Sequence, residues 1–389
     1  MIRRYAVIAH RWVGLGLALF LIIEGLTGSL LAFNVQLTRL LDPALFVTPP
    51  TSGTPLDFAT LADRARAIAP NAHLDYFARV RRDQVVLRMH GDSTFKYLVL
   101  DPWTGRELGR LTNDFHAPGL KENIMPVVYS LHTSLAMGPI GAWILSLVAL
   151  VWTIDCFVGF YLTLPAGVTD FWRRWKTSWG IKWPTSSFRF NFDVHRASGL
   201  WSWALLFIFA WSSSALVYPG MAVNWWVTGR LFRTQSIDSS YGVRQFTDHP
   251  TAPRLGWRAA QTIGDQLTAR EAVRHRFTVD HPTQLAYIPG VNLYSYSVLT
   301  DRAFPASKQF NLFFDGDDGS LYAANTLQGA GPGNDIIDWF RALHMVRDPV
   351  DAVWYRVVVA LIGVVIALLS ATGMYVWWYK QRARSRRRA

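Results

Sequence analysis

Cysteine is almost missing from this 389-residue chain: Cys156 is the only one. No disulfide can form within the chain, so its folded parts must stand on packing alone. A Cys-x-x-Cys-His site for covalently attached haem is missing too. So is a dinucleotide fingerprint, because the Gly-rich run at 329–335, GAGPGND, lacks the strand and helix context a phosphate loop needs. Charge is sparse at 17%, whereas 51% of residues are hydrophobic, with 18 Trp and 23 Phe. A built-in NAD or flavin domain is therefore not expected, and long apolar runs are.

Four such runs occur, near 13–33, 139–164, 198–218 and 353–378. Each approaches or exceeds the roughly 20 residues that cross a bilayer as a helix. The first is read as a retained span rather than a cleaved leader. It carries Glu24 at its centre, no small-residue cleavage motif follows closely, and it recurs as the third run. A net charge of +12 suggests nucleic acid until the charges are placed. Arg3, Arg4 and Arg11 precede the first run. Arg173, Arg174, Lys176, Lys182, Arg189 and Arg196 lie between the second and third, and Lys380, Arg382, Arg384, Arg386, Arg387 and Arg388 follow the fourth. Basic clusters flanking spans put both termini in the cytoplasm and leave nucleic acid without support. The basic tail is suited to anionic lipid.

The chain is duplicated. HRWVGLGLALFLIIEGLTGSLLAF begins at His10 and HRASGLWSWALLFIFAWSSSALVY at His195. From His10 to Gly28, and from His195 to Ser213, is 18 positions each. His132 and His344 precede the second and fourth runs, with 27 positions from His132 to Gly159 and 29 from His344 to Gly373. Each half reads span, external region, span. The expected order is first span 1–33, external region 34–138, second span 139–164 and cytoplasmic loop 165–195. Third span 196–218, external region 219–351, fourth span 352–379 and basic tail 380–389 follow. The fold class expected is a membrane α-helical protein: a four-helix transmembrane bundle from two parallel repeats, with two small α+β external domains.

The external regions echo one another. LDFATLADRARAIA has helical periodicity, followed by the alternating runs LDYFARV, QVVLRMH and FKYLVLD and the turn DPWTG. In the second region GWRAAQTIGDQLT is the expected helix, with strands near 276–279, 293–299 and 310–314 and the turn DGDDG.

Parallel repeats are related by an axis along the membrane normal. His10 and His195 then lie level near the inner face, and His132 and His344 near the outer. A planar iron porphyrin takes two imidazoles from opposite sides, and bundles build cofactor sites from facing helices. Two non-covalent b-type haems are therefore expected, one on His10 and His195 and one on His132 and His344, which ligate the iron. Zinc fits less well, since two ligands leave its tetrahedral site half filled. Arg11 and Arg196 follow ligands directly and are candidates for the inner propionates, with Arg341 and Arg347 at the outer site. Irons inset from each face of a roughly 30 Å core would stand on the order of 20 Å apart.

His116 is a further candidate near the outer site, while His73, His90, His249, His275 and His281 read as surface residues. Glu24 and Asp155 lie at membrane depth, where a carboxylate is costly and marks function by default. Pairing with Ser or Thr, protonation or cofactor tuning would each account for them, and Ser- or Ala-type residues are expected opposite them in the other half. The many tryptophans read as interfacial belt or bundle packing.

HRWVGL with TGSLLAF, HRASGL, SLHTSLAMGPIGAW, ALHMV and the turns DPWTG and DGDDG together resemble the PepSY-associated transmembrane family of bacterial iron-uptake proteins. The resemblance covers nearly the whole chain, and within that family the chain resembles the inner-membrane ferric-siderophore reductases of the FoxB type. It implies two haems on His10, His132, His195 and His344 and PepSY-like periplasmic domains. The activity it implies is reduction of a ferric siderophore in the periplasm with release of Fe(II), whose softer ion the hard oxygen donors hold less well. The expected partners are a ferric siderophore, membrane lipid, and an electron donor that is a quinol or a cytoplasmic flavoprotein. Arg79, Arg81, Arg82 and Arg88 make the first external region basic, which would draw an anionic complex or simply face solvent. Two alternatives stand beside this: a non-redox PepSY-type binding or regulatory membrane protein, and a siderophore permease component.

Overall fold

The computed structural model describes residues 1–92, 94–114, 120–232, 252–304, 307–324, 332–346 and 352–386. The elements begin with α1 (Ile2–Leu31), α2 (Asn34–Leu41), α3 (Phe58–Ile68), β1 (His73–Arg81), β2 (Gln84–His90), β3 (Tyr97–Leu100) and β4 (Glu107–Leu111). Next come α4 (Leu120–Ser134), α5 (Pro139–Thr163), α6 (Phe171–Lys176), α7 (Ser187–Trp201), α8 (Trp203–Ser214) and α9 (Gly220–Leu231). Last are α10 (Trp257–His275), β5 (Val279–Ile288), β6 (Leu293–Phe304), β7 (Ser307–Asp315), β8 (Leu321–Ala324), α11 (Pro332–Met345) and α12 (Val353–Ser385). They fall into two compact units, one of residues 1–34, 128–230 and 340–389, the other of 35–127 and 231–339.

The first unit is helical. Among the described residues three helices are long and apolar enough to cross a membrane: α1, α5 and α12. Leucines such as Leu19, Leu147, Leu361 and Leu368 remain exposed on them, as a lipid-facing surface requires. Pro139 starts α5, where its missing N–H costs nothing. The third apolar run, expected as one span over 196–218, is built from two helices. They meet at Ser202, whose φ of −96° and ψ of 1° leave the helical region. Ser198 and Ser202 donate their hydroxyls back to the carbonyls of Val194 and Ser198, both at 2.6 Å. Such back-bonding bends helices. α8 alone, at 12 residues, covers about 18 Å, and α7 carries Arg189, Asp193 and Arg196.

α1 packs on α12 and α5, α5 on α8, and α7 on α12. The α1–α12 crossing is made by small residues. A Cβ on Gly25 would lie 2.4 Å from the Gly363 carbonyl oxygen. Ser29 Oγ donates across it to the Ala360 carbonyl at 2.8 Å. The repeat-equivalent positions in α8 and α5 hold Ala210 and Ala149, both buried.

In the second unit the two external regions do not remain two small domains. They share one eight-stranded sheet, order β4-β3-β2-β1-β5-β6-β7-β8, with every pairing antiparallel. Each region contributes a helix and a four-stranded meander, and the first strands, β1 and β5, join them at Tyr76 and Ala286. Asp57 caps α3 by accepting from Thr60 N at 2.6 Å. Its apolar face, Phe58, Leu61, Ala62 and Ala65, has helical spacing and is buried. That face joins Phe77, Leu87, Tyr296 and Phe310 in a core common to both regions. Sharing gives a larger core than either small region would have alone, which offsets the absence of disulfides.

Strand β5 lies at 279–288 rather than near 276–279, because Arg276 takes a left-handed conformation (φ 55°) that ends α10. The turns DPWTG and DGDDG hold the same place, linking the third and fourth strands of each meander. Asp101 accepts from Trp103 N at 2.8 Å and Asp315 from Asp317 N at 2.7 Å, the same turn chemistry twice.

Candidate functional site

The four histidines lie in the helical unit on four different helices: His10 on α1, His132 on α4, His195 on α7 and His344 on α11. Three of the rings rest on glycine. A Cβ at Gly28 would come within 3.0 Å of His132 Cε1, one at Gly159 within 3.3 Å of His10 Cε1, and one at Gly373 within 3.2 Å of His195 Cε1. These are the glycines whose spacing from the histidines marks the repeat, and Ser213 stands where the fourth would be.

Every Nδ1 has an oxygen partner. His195 Nδ1 is 2.9 Å from the Leu369 carbonyl, which can only accept, so this nitrogen carries the proton. Thr372 Oγ1, 3.1 Å away, already donates to the Leu368 carbonyl at 2.7 Å and so also accepts. Thr27 Oγ1 lies 3.0 Å from His132 Nδ1 and donates to the Ile23 carbonyl at 2.6 Å. Ser212 Oγ lies 2.9 Å from His344 Nδ1 and donates to the Phe209 carbonyl at 3.2 Å. His10 Nδ1 meets Asp155 Oδ1 at 2.9 Å. With the proton on Nδ1, as the Leu369 carbonyl requires at His195 and the oxygens at the other three rings can accept, the Nε2 lone pair of each ring is left for a metal.

The rings come together in the pairs that the repeat implies. His10 and His195 have centroids 6.2 Å apart with planes at 56°, and His132 and His344 have centroids 6.3 Å apart with planes at 41°. A metal bound to one nitrogen of each ring needs bonds of about 2 Å on both sides plus the radii of the rings, roughly 6 Å between centres. The two observed spacings match that distance. A bare ion fits less well. Among the described residues no group of three or more His, Cys, Asp or Glu could hold one.

Both membrane-depth acids turn out to touch these histidines. Asp155 accepts from His10, and Glu24 Oε2 lies 3.1 Å from His132 Nδ1. Opposite them in the other half stand Phe209 and Leu369 rather than Ser- or Ala-type residues. The match follows from the geometry: Glu24 precedes Thr27 as Phe209 precedes Ser212, and Asp155 precedes Gly159 as Leu369 precedes Gly373.

The arginine candidates divide. Arg11 makes no hydrogen bond or ion pair among the described residues. Arg196 gives one nitrogen to Asp193 at 2.9 Å and to the Thr177 carbonyl at 2.8 Å, while its Nε is buried without a hydrogen-bond partner among the described residues. Trp377 Nε1, one turn beyond Gly373, is also buried with no partner among the described residues, a feature concealed by its resemblance to a belt tryptophan. Among the described residues Arg341 reaches the Ala215 carbonyl, at 3.5 Å. Arg347 and His116 lie outside the described residues.

The model of the PepSY-associated TM region matches residues 7–380. The chain belongs to this family. No curated protein matches it. The PepSY-associated match spans all four histidines and both units. Within the sheet unit the basic patch is partly spent: Arg81 pairs with Asp83 at 3.1 Å, Arg88 lies 3.8 Å from Asp75, and Arg82 covers the Trp103 ring.

Proposed function

We propose that this PepSY-associated membrane protein is a di-haem reductase of the bacterial inner membrane. In this reading the helical unit is a four-span bundle with both termini in the cytoplasm, and the sheet unit is periplasmic. Bound between each histidine pair, a b-type haem would supply one-electron chemistry. His10 and His195 hold one through their Nε2 atoms, and His132 and His344 hold the other. Asp155, Thr27, Ser212 and the Leu369 carbonyl fix the tautomer and the ring direction. Arg11, Arg196 Nε and Trp377 Nε1 are donors for the carboxylates of the inner macrocycle. The observation that carries the reading is the matched spacing of 6.2 and 6.3 Å between rings whose Nδ1 atoms are all engaged.

The substrate proposed is a ferric siderophore outside the membrane, with electrons supplied by a quinol or a cytoplasmic flavoprotein. The support for this part is the resemblance to ferric-siderophore reductases. Hard oxygen donors bind Fe(III) far better than Fe(II), so one electron loosens the complex. The test is direct. Purified protein is reduced anaerobically and mixed with ferric hydroxamate siderophore. Reoxidation of both haems with appearance of chelatable Fe(II) is expected, and persistence of the reduced spectrum would reject the reductase assignment.

A further inference from the structure

The two histidine pairs are alike in spacing but differ in what stands behind the rings. At the His10/His195 pair, Asp155 takes the Nδ1 proton of His10 in a direct 2.9 Å hydrogen bond. Its partner ring rests on neutral oxygens, the Leu369 carbonyl and Thr372 Oγ1. At the His132/His344 pair both Nδ1 atoms go to hydroxyls, Thr27 at 3.0 Å and Ser212 at 2.9 Å. Glu24 Oε2 stands 3.1 Å from His132 Nδ1, beside the Thr27 hydrogen bond, and its Oε1 has no hydrogen-bond partner among the described residues. Phe209 packs against His344 with ring centres 5.4 Å apart. One pair thus has a carboxylate as the hydrogen-bond acceptor of a ligand ring, whereas in the other the side chains hydrogen-bonded to the rings are hydroxyls and the nearby carboxylate makes only a 3.1 Å contact.

We infer that Asp155 is a positioning residue that poises the His10/His195 site at a lower reduction potential than the His132/His344 site. This rests on the two-haem reading above. A carboxylate accepting the Nδ1 proton makes the imidazole a stronger donor, and a stronger donor favours the ferric state. With a haem held at each pair, one electron would pass downhill from the first site to the second, with no bond made and no proton transferred. The direction is set by the first repeat, because the second repeat places Leu369 where Asp155 stands.

The test is a spectroelectrochemical titration of the full chain with wild type, Asp155→Asn, Asp155→Glu and His10→Ala. Wild type is expected to show two midpoints, and His10→Ala to lose the lower one. Asp155→Asn is expected to raise only that midpoint, by a tenfold change in ferrous preference or more, about 59 mV for one electron. Asp155→Glu, which keeps the charge, should hold it near the wild-type value. The inference is overturned if His10→Ala removes the higher midpoint, or if Asp155→Asn leaves both unmoved. Equal shifts from Asn and Glu overturn it too, since packing alone would then explain them. If Asp155→Asn loses haem, recovery of haem and of the low midpoint by Asp155→Glu supports the inference, and failure of both variants to bind rejects it. Wild type without haem is a different outcome, which rejects the two-haem reading itself.

Discussion

Gly25 and Gly363, 338 residues apart in the chain, meet backbone to backbone where α1 crosses α12. A Cβ on Gly363 would lie 2.2 Å from Ser29 Oγ and 2.3 Å from the Gly25 carbonyl oxygen. α1 carries His10 and α12 carries the oxygens behind His195, so this crossing holds two walls of one site in register. Small residues permit such an approach where lipid supplies no hydrophobic driving force between helices.

Gly363→Leu forces those helices apart. Overpacking a filled interior costs about 1–3 kcal/mol, and here backbone rather than a flexible side chain must yield. A lower melting temperature in detergent is expected, together with weaker cofactor retention at the His10/His195 pair. A melting temperature equal to wild type would show that the crossing is not tight.

Glycines under the histidine rings give a site-selective test. Gly28→Val pushes on His132, whose Cε1 would already be 3.0 Å from the first added carbon. Gly373→Val pushes on His195, at 3.2 Å. Each variant is expected to lose about one haem per chain and to keep the other, measured by pyridine haemochrome against protein concentration. Loss of both from either variant would show that the sites are not independent.

Asp83 makes the sheet unit sensitive to acid. Burial pushes its carboxyl up, but hydrogen bonds and charge from Arg81 and then Arg39 more than offset this and hold it below the usual range. A carboxyl with a depressed folded value contributes stability above its unfolded value, near 3.9. That contribution is lost as pH falls through the folded value. The gap in thermal stability between wild type and Asp83→Asn is therefore expected to be constant above about pH 5 and to shrink below about pH 4. A gap independent of pH would contradict the ion pairs.

Much of the site was legible because duplication repeats residues in register. His10 with Gly28 and His195 with Ser213 share one offset, and that offset reports which rings are equivalent. Hydrogen-bond partners were less legible. Asp155 and Glu24 stood out by depth alone, but Leu369 acts through a carbonyl that any residue would supply. Trp377 looked like any interfacial tryptophan.

In the sheet unit, β2 is plain from its apolar residues, whereas β5 carries Pro282 and register shifts on both sides of it, which erase the alternation. β4 and β8 are five and four residues long, too short for a periodic signal. That β1 and β5 pair is a tertiary fact with no local signature. The break falls at Ser202 rather than at Gly199 or a proline, so the third apolar run read as unbroken.

The central claim is that each histidine pair grips one iron macrocycle. Haem quantified per polypeptide in the purified full chain, with His10→Ala measured beside it, tests this most directly. The account predicts two low-spin, bis-imidazole b-type haems in wild type and one in the variant. A colourless wild-type protein, or a variant that keeps both haems, would contradict it.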